Sequence, residues 1–362
     1  MQLPFRTWDT SVFSSKKCIT LSQLFIERKF HYFVCVRIIK VMASLLEVRG
    51  LTVELPTPTG WVRPVNEVSL HIAEGESLGL VGESGSGKTM LSLALMGLLP
   101  PGARVSGEAT LAAEGSPKKL MALSEREWRH VRGGEIAMIF QEPMTSLNPV
   151  MRIGAQIAEA ICAHQPKLAV NEVKRKAIDA LRRAAIPQPE SRAQQFPHQL
   201  SGGLRQRAMM AMALAAGPRV LIADEPTTAL DVTVQKQILN LLDRLRRELK
   251  LGLLFITHDL GVVAQVAERV AVMYAGRVIE EGPARDVLTK PKHPYTQGLL
   301  KASPTLKRGA LTPIPGVVPQ LTALPPGCAF EPRCELRRSD CVTEVPALRA
   351  AGENHKARCV LV

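Results

Sequence analysis

The chain has 362 residues, of which 46% are hydrophobic and 22% charged; this suits a globular protein with a packed core and excludes a disordered or low-complexity one. No run reaches the ~18 uninterrupted apolar residues of a membrane-spanning helix; the most apolar N-terminal run, 31–46, is broken by Arg37 and Lys40. The formal net charge of +13 admits nucleic acid or an anionic membrane surface as partner, and its distribution decides more than its sum.

Residues 1–41 carry Arg6, Lys16, Lys17, Arg28, Lys29, Arg37 and Lys40 against Asp9 and Glu27, together with seven of the fifteen aromatics. From Ser44 the composition becomes that of an ordinary strand. The break predicts that translation begins at Met42 and that 1–41 is an extension outside the fold. The rival reading, a basic membrane-surface arm, would need an amphipathic pattern that the segment does not sustain.

Next come a strand over 45–54, a Pro/Gly turn over 56–60 and a second strand over 65–72. Residues 77–81 form a short apolar strand, followed by a glycine-rich loop and a helix over 89–98. Residues 120–215 read as mostly helical, with a clear Ala/Leu/Lys/Arg-rich stretch at 172–184. Strands are expected at 219–223, 253–257 and 269–275, and a helix at 232–249. Buried strands alternating with helices imply a parallel sheet covered on both faces. From about Pro283 the chain turns Pro-rich, and an extended tail is expected to replace the sheet.

The chemistry begins at Gly82-Glu83-Ser84-Gly85-Ser86-Gly87-Lys88-Thr89, which fits G-x-x-x-x-G-K-[ST]. Glycines let consecutive backbone N–H groups converge on the β- and γ-phosphates of a nucleotide, Lys88 adds a point charge, and Thr89 offers a hydroxyl to Mg²⁺. The loop's position between strand and helix argues against a chance glycine turn. Farther on, the apolar run 220–223 ends in Asp224 and Glu225. Acids at a buried strand tip are costly unless a cation or a reacting proton uses them. Asp224 suits Mg²⁺, and Glu225 suits polarising an attacking water as general base.

Leu200-Ser201-Gly202-Gly203-Leu204-Arg205-Gln206-Arg207 opens a further helix, with Ser201 as a natural N-cap. It matches the signature sequence of ABC ATPases, and in this order with the phosphate loop and the Asp224-Glu225 pair the chain resembles their family. The resemblance implies that Ser201, Gly202, Gly203 and the helix N-terminus face the γ-phosphate held by another subunit, so that hydrolysis requires a head-to-tail dimer. By the same resemblance Gln141 matches the loop glutamine that touches Mg²⁺ and water, His258 the switch histidine that contacts the γ-phosphate, and Asp231 the loop that crosses the dimer interface. One departure concerns adenine, which the family stacks on an aromatic after the first strand. Leu55 aligns there, and nearby Trp61 is the substitute expected to stack; its plain reading is a partly exposed turn residue.

The tail segments His293-Pro294-Tyr295-Thr296-Gln297-Gly298-Leu299-Leu300, Ile314-Pro315-Gly316-Val317-Val318-Pro319 and Pro325-Pro326-Gly327-Cys328 resemble the C-terminal region of dipeptide, oligopeptide and nickel importer ATPases. Cys328, Cys334, Cys341 and Cys359 give the right ligand number for the [4Fe-4S] cluster that some members of that family carry. Zinc competes, although paired C-x2-C spacing is absent, and unliganded structural cysteines are the third reading.

The expected fold class is therefore α/β: a phosphate-loop NTPase core of the ABC ATPase type with an antiparallel β subdomain, a helical subdomain and a Pro/Cys-rich C-terminal extension. Expected boundaries are 42–285 for the ATPase domain, with the helical subdomain at about 142–215, and 286–362 for the tail. The implied function is ATP hydrolysis powering import of di- or oligopeptides, or nickel. The work would be done with a second ABC ATPase subunit, identical or related, and two membrane permease subunits, at the cytoplasmic face of the cell membrane. An extracytoplasmic substrate-binding protein would take part indirectly. A soluble ABC ATPase acting on DNA or ribosomes is the competing class. The coiled-coil insertions, internal zinc modules or tandem ATPase units typical of it are not seen, and no nucleic-acid partner is expected.

Overall fold

The computed structural model describes residues 44–58, 60–113, 115–141, 146–228, 230–303 and 312–362; the expected start at Met42 and the arm before it lie outside them. In chain order the strands are β1 (Ser44–Thr57), β2 (Gly60–Ala73), β3 (Ser77–Val81), β4 (Arg104–Leu111), β5 (Lys118–Lys119), β6 (Ile136–Ile139), β7 (Val220–Asp224), β8 (Gly252–Thr257), β9 (Arg269–Tyr274), β10 (Arg277–Pro283), β11 (Arg349–Gly352) and β12 (His355–Ala357). They form two sheets, an antiparallel one in the order β2-β1-β4-β5 and a larger one in the order β11-β12-β10-β9-β3-β8-β7-β6. Strands β9, β3, β8, β7 and β6 of the larger sheet run parallel.

Every residue of β3, β6, β7 and β8 is buried, as expected of parallel strands covered on both faces. Their alternation divides the core in two. Leu78, Leu80, Ile222, Leu254 and Ile256 pack toward the antiparallel sheet, with Leu46, Leu51 and Val65. Val81, Leu221, Ala223, Leu253 and Phe255 pack on the other side against Leu239, Leu242 and Leu245 of the helix Val232–Leu249. A third, smaller core belongs to the helices Ile153–His164, Val170–Arg183 and Gly202–Leu214. Ile153, Ile157 and Ile161 face Val173, Ala177 and Leu181 there, both sets at the i, i+4 spacing of one helix face.

The structure corrects three expectations. The helix after the phosphate loop is Lys88–Leu95, not 89–98, because the chain leaves it at Met96 and turns through Gly97 at φ 61°. Within 120–215 lies β6, a parallel strand of the main sheet, and β4 precedes that region; a four-residue apolar run carries no period that separates strand from helix. The tail is not simply extended. It contains the helices Ala284–Thr289 and Pro294–Ala302, and β12 pairs with β10, so the tail continues the ATPase sheet.

That junction is bonded through a fully buried carboxylate. Glu280 on β10 accepts the N–H groups of Lys292 (2.7 Å) and His293 (2.9 Å), and His355 Nε2 on β12 lies 2.7 Å from it. Three partners offset the desolvation of a buried acid, which would otherwise cost several kcal/mol.

Candidate nucleotide site and the cysteine-lined tail

The phosphate loop leaves β3 and enters the helix Lys88–Leu95, and the backbone approach there leaves no room for side chains. A Cβ on Gly82 would stand 2.2 Å from the carbonyl oxygen of Met273, and one on Gly87 only 1.8 Å from that of Pro64. Gly87 also sits at φ 104°, a conformation L residues avoid. Ser86 and Lys88 are buried. Lys88 Nζ donates to the carbonyls of Gly82 (2.8 Å) and Glu83 (3.0 Å) and to Ser86 Oγ (3.3 Å). Burial holds the Lys88 ammonium below its ordinary pKa, opposed by the carboxylates of Glu225, Asp224 and Glu83. A charged amine poorly solvated in this way gains from an arriving phosphate.

The acids stand where parallel β7 ends. Asp224 is 2% exposed, with burial raising its pKa; the Thr89 side chain bonds to it, and Ser92 Oγ lies 3.5 Å from its Oδ2. Its other oxygen, Oδ1, is buried with no hydrogen-bond partner. An orphaned carboxylate oxygen beside a threonine hydroxyl at the foot of a phosphate loop fits Mg²⁺. When bound, the ion would neutralise phosphate charge and keep Asp224 ionised.

Glu225 takes φ 47°, a left-handed backbone unusual for a non-glycine residue. Its N–H donates to Ile256 O (2.9 Å). Its carboxylate is met by Gln141 Nε2 (3.2 Å), Thr228 Oγ1 (2.9 Å) and His258 Nδ1 (3.2 Å). Thus Gln141 from the end of β6, Glu225 from β7 and His258 from β8 converge at the C-terminal edge of adjacent parallel strands, where open α/β sheets bind ligands. Gln141 and His258 are exposed, so the group is open to a nucleotide.

Ser201 occupies the N-cap position of Gly202–Leu214, as expected, but its side chain makes no capping bond; Ser201 and Gly202 are both exposed. Asp231 caps Val232–Leu249, its Oδ1 accepting from Val234 N (2.9 Å). Trp61 is 44% exposed and stacks one face on the Arg104 guanidinium, 3.8 Å from the ring centroid. Glu142, Pro143 and Ala229, neighbours of the expected motifs, lie outside the described residues.

Two residues reach the phosphate loop with no sequence signal for that contact. Arg333, 4% exposed in its side chain, grips the Glu83 carboxylate at 2.8 and 3.2 Å, and Tyr295 Oη accepts the Glu83 N–H at 2.9 Å. Both come from the tail.

Cys328, Cys334, Cys341 and Cys359 line one small enclosed space with His293 and Phe330, and none is in a disulfide. The Arg338 N–H donates to Cys341 Sγ (3.4 Å), and backbone hydrogen bonding at Phe330, Leu336, Leu361 and Val360 favours the thiolates of Cys328, Cys334 and Cys359. Burial pushes the Cys328 thiol up to about 11 and raises those of Cys334 and Cys359, with the neighbouring cysteines adding to it. Among the described residues, however, no group of three or more His, Cys, Asp or Glu is arranged to hold a metal ion.

Comparison with known proteins agrees with this architecture. Residues 65–228 match the family model described as ABC transporter, and residues 279–341 the one described as oligopeptide/dipeptide transporter, C-terminal region. The oligopeptide transport ATP-binding protein OppD of Bacillus subtilis is 48% identical over 326 residues, covering 89% of this chain and 90% of that protein. The dipeptide transport ATP-binding protein DppD of the same organism is 46% identical over 323 residues, covering 88% and 95%. OppD of Salmonella typhimurium is 47% identical over 319 residues, covering 87% and 93%. Among solved structures, the dimeric post-hydrolysis state of the ATP-binding cassette MJ0796 bound to ADP and Pi superposes with a TM-score of 0.59 at 27% identity, covering 66% of this chain and 99% of that one. The phosphate loop, the acids at the end of β7 and a tail that continues the same sheet thus have one explanation: this chain belongs to the ABC transporter ATP-binding proteins, in the branch that carries the oligopeptide/dipeptide transporter C-terminal region.

Proposed function

We propose that the chain hydrolyses ATP to drive import of di- or oligopeptides through a membrane ABC transporter. The observation that carries the reading is the convergence of Gln141, Glu225 and His258 beside a complete phosphate loop. In the proposed chemistry water attacks the γ-phosphate in line. Glu225 polarises that water, Lys88 and the loop N–H groups stabilise the developing charge, and His258 and Gln141 hold Glu225 and the water in register. Thr89 and Asp224 would hold Mg²⁺. Ser201, Gly202 and Gly203 would complete the site of a second ATPase subunit, and Trp61 would present its free face to adenine. The division into an ATPase domain at 42–285, with its helical subdomain at about 142–215, and a tail at 286–362 belongs to the same reading.

Permease partners and a peripheral place at the membrane's cytoplasmic face are proposed from the relatives' names. Among the described residues no helix is long and apolar enough to cross a membrane. The test is MgATP turnover by the purified full chain and by Glu225→Gln. The variant is expected to keep nucleotide affinity and lose turnover by about 10²-fold or more, the scale of a lost general base. Recovery of the protein with ribosomes or nucleoid in place of membranes would overturn the importer reading.

For the tail we propose the iron–sulfur reading over zinc. It is supported by four cysteines around one space and by backbone hydrogen bonding that favours their thiolates; the side chains would still have to close around the group. Anaerobic purification is expected to yield about four iron and four sulfide per chain. Zinc, or no metal, would end this reading and leave the ATPase reading intact.

A further inference from the structure

The C-terminal region holds the phosphate loop at Glu83. Its carbonyl accepts from Lys88 Nζ at 3.0 Å. Its N–H is taken by Tyr295 Oη, and its carboxylate by the two arms of Arg333. Both holding side chains are themselves immobilised. Tyr295 is fully buried against Tyr274, ring centroids 4.5 Å apart, and against Phe330 at 5.4 Å. Arg333 lies over the Tyr274 and Phe330 rings and donates its Nε to Pro315 O at 2.9 Å. A tail that served only to pack on the core would not require a buried guanidinium aimed at a loop carboxylate.

We infer that Arg333 and Tyr295 are positioning residues for the phosphate loop, so that the affinity of the site for nucleotide is set in part from the C-terminal region. The inference rests on the ATPase reading. Two physical effects carry it. A loop fixed at its first variable residue has less conformational freedom to lose when its N–H groups close on a polyphosphate. In addition, Glu83 places a negative charge at the entrance of an anion site, close enough to act on Lys88. Arg333 neutralises that charge with a bidentate pair, and without it the carboxylate would repel the phosphates it adjoins.

The charge argument makes a pattern that simple anchoring does not. In Arg333→Gln the unneutralised Glu83 faces the nucleotide, and the affinity of the full chain for mant-ADP with Mg²⁺, read by fluorescence titration, is expected to fall about tenfold. Glu83→Gln leaves Arg333 positive beside the phosphates and is expected to change affinity by no more than about twofold. The double variant Glu83→Gln/Arg333→Gln is expected to recover most of the tenfold loss. In Arg333→Gln turnover at saturating ATP stays near wild type, so that KM moves and kcat does not.

Wild-type affinity in Arg333→Gln overturns the inference. A double variant as weak as Arg333→Gln overturns the charge effect and supports the inference through anchoring alone, because anchoring is not restored by removing the second partner. Should Arg333→Gln fail to fold, Tyr295→Phe, which frees only the Glu83 N–H, carries the test: a loss of a few-fold supports the inference and unchanged affinity overturns it. Failure of the wild-type chain to bind mant-ADP would overturn the ATPase reading and this inference together, whereas wild-type binding with unaffected variants sinks this inference alone.

Discussion

The phosphate loop and the segment at Ser201 both bring glycines to a helix N-terminus, but the first is far more tightly enclosed by its own chain. Around the loop, backbone carbonyls stand within 1.8–2.2 Å of where a Cβ on Gly87 or Gly82 would go, Lys88 is buried, and Glu83 is gripped by the tail. At the other segment, a Cβ on Gly202 would meet only Leu230 Cδ2 at 3.7 Å, one on Gly203 would meet the Val234 side chain, not backbone, at 2.7 Å, and the Ser201 hydroxyl caps nothing. A finished socket and an open face of similar composition differ in what completes them. In the proposed dimer a surface of the second subunit would complete the exposed face.

Substitutions can break or sharpen this contrast. The largest effect is expected for Gly87→Ala, which drives a methyl group into Pro64 O at a positive φ. Nucleotide titration and turnover should both fall by about 100-fold or more, and retention of mant-ADP binding would show the loop to be less closed than described. Ser201→Ala should do the opposite: affinity of the single chain unchanged, steady-state turnover about tenfold lower, as for the loss of one hydrogen bond to a charged group. Equal loss of affinity and turnover would remove the distinction between the two segments. The smallest effect is expected for Asp231→Ala, which removes the cap on Val232–Leu249 and should lower unfolding free energy by about 1 kcal/mol in denaturant titration, with nucleotide affinity untouched.

The same contrast accounts for what could be read from the chain. The motif residues were legible because their chemistry is local: a strand, a glycine loop and a helix follow one another without interruption, and β3 was found at the expected 77–81. The helix expected at 232–249 was found end to end, with an aspartate cap before it and Lys250 in the left-handed conformation after it. Strand β6 was missed because four buried residues show no period. The tail's helices and its pairing with β10 were missed because prolines there begin helices, as at Pro294, where an extended chain was expected. The contacts of Arg333 and Tyr295 with the phosphate loop were not legible at all. The two residues meet Glu83 across 250 and 212 residues, and one arginine among many in a basic chain announces no partner.

The 250 residues between Glu83 and Arg333 also impose an order in time. The loop leaves the ribosome before its clasp, so at ~5–20 residues per second roughly 12–50 s of synthesis separate them. Throughout that interval the nascent ATPase holds a loop without its arginine. A message truncated before Arg333 would yield a chain with every ATPase motif and an unclasped nucleotide site, so the clasp would report that synthesis has passed residue 333.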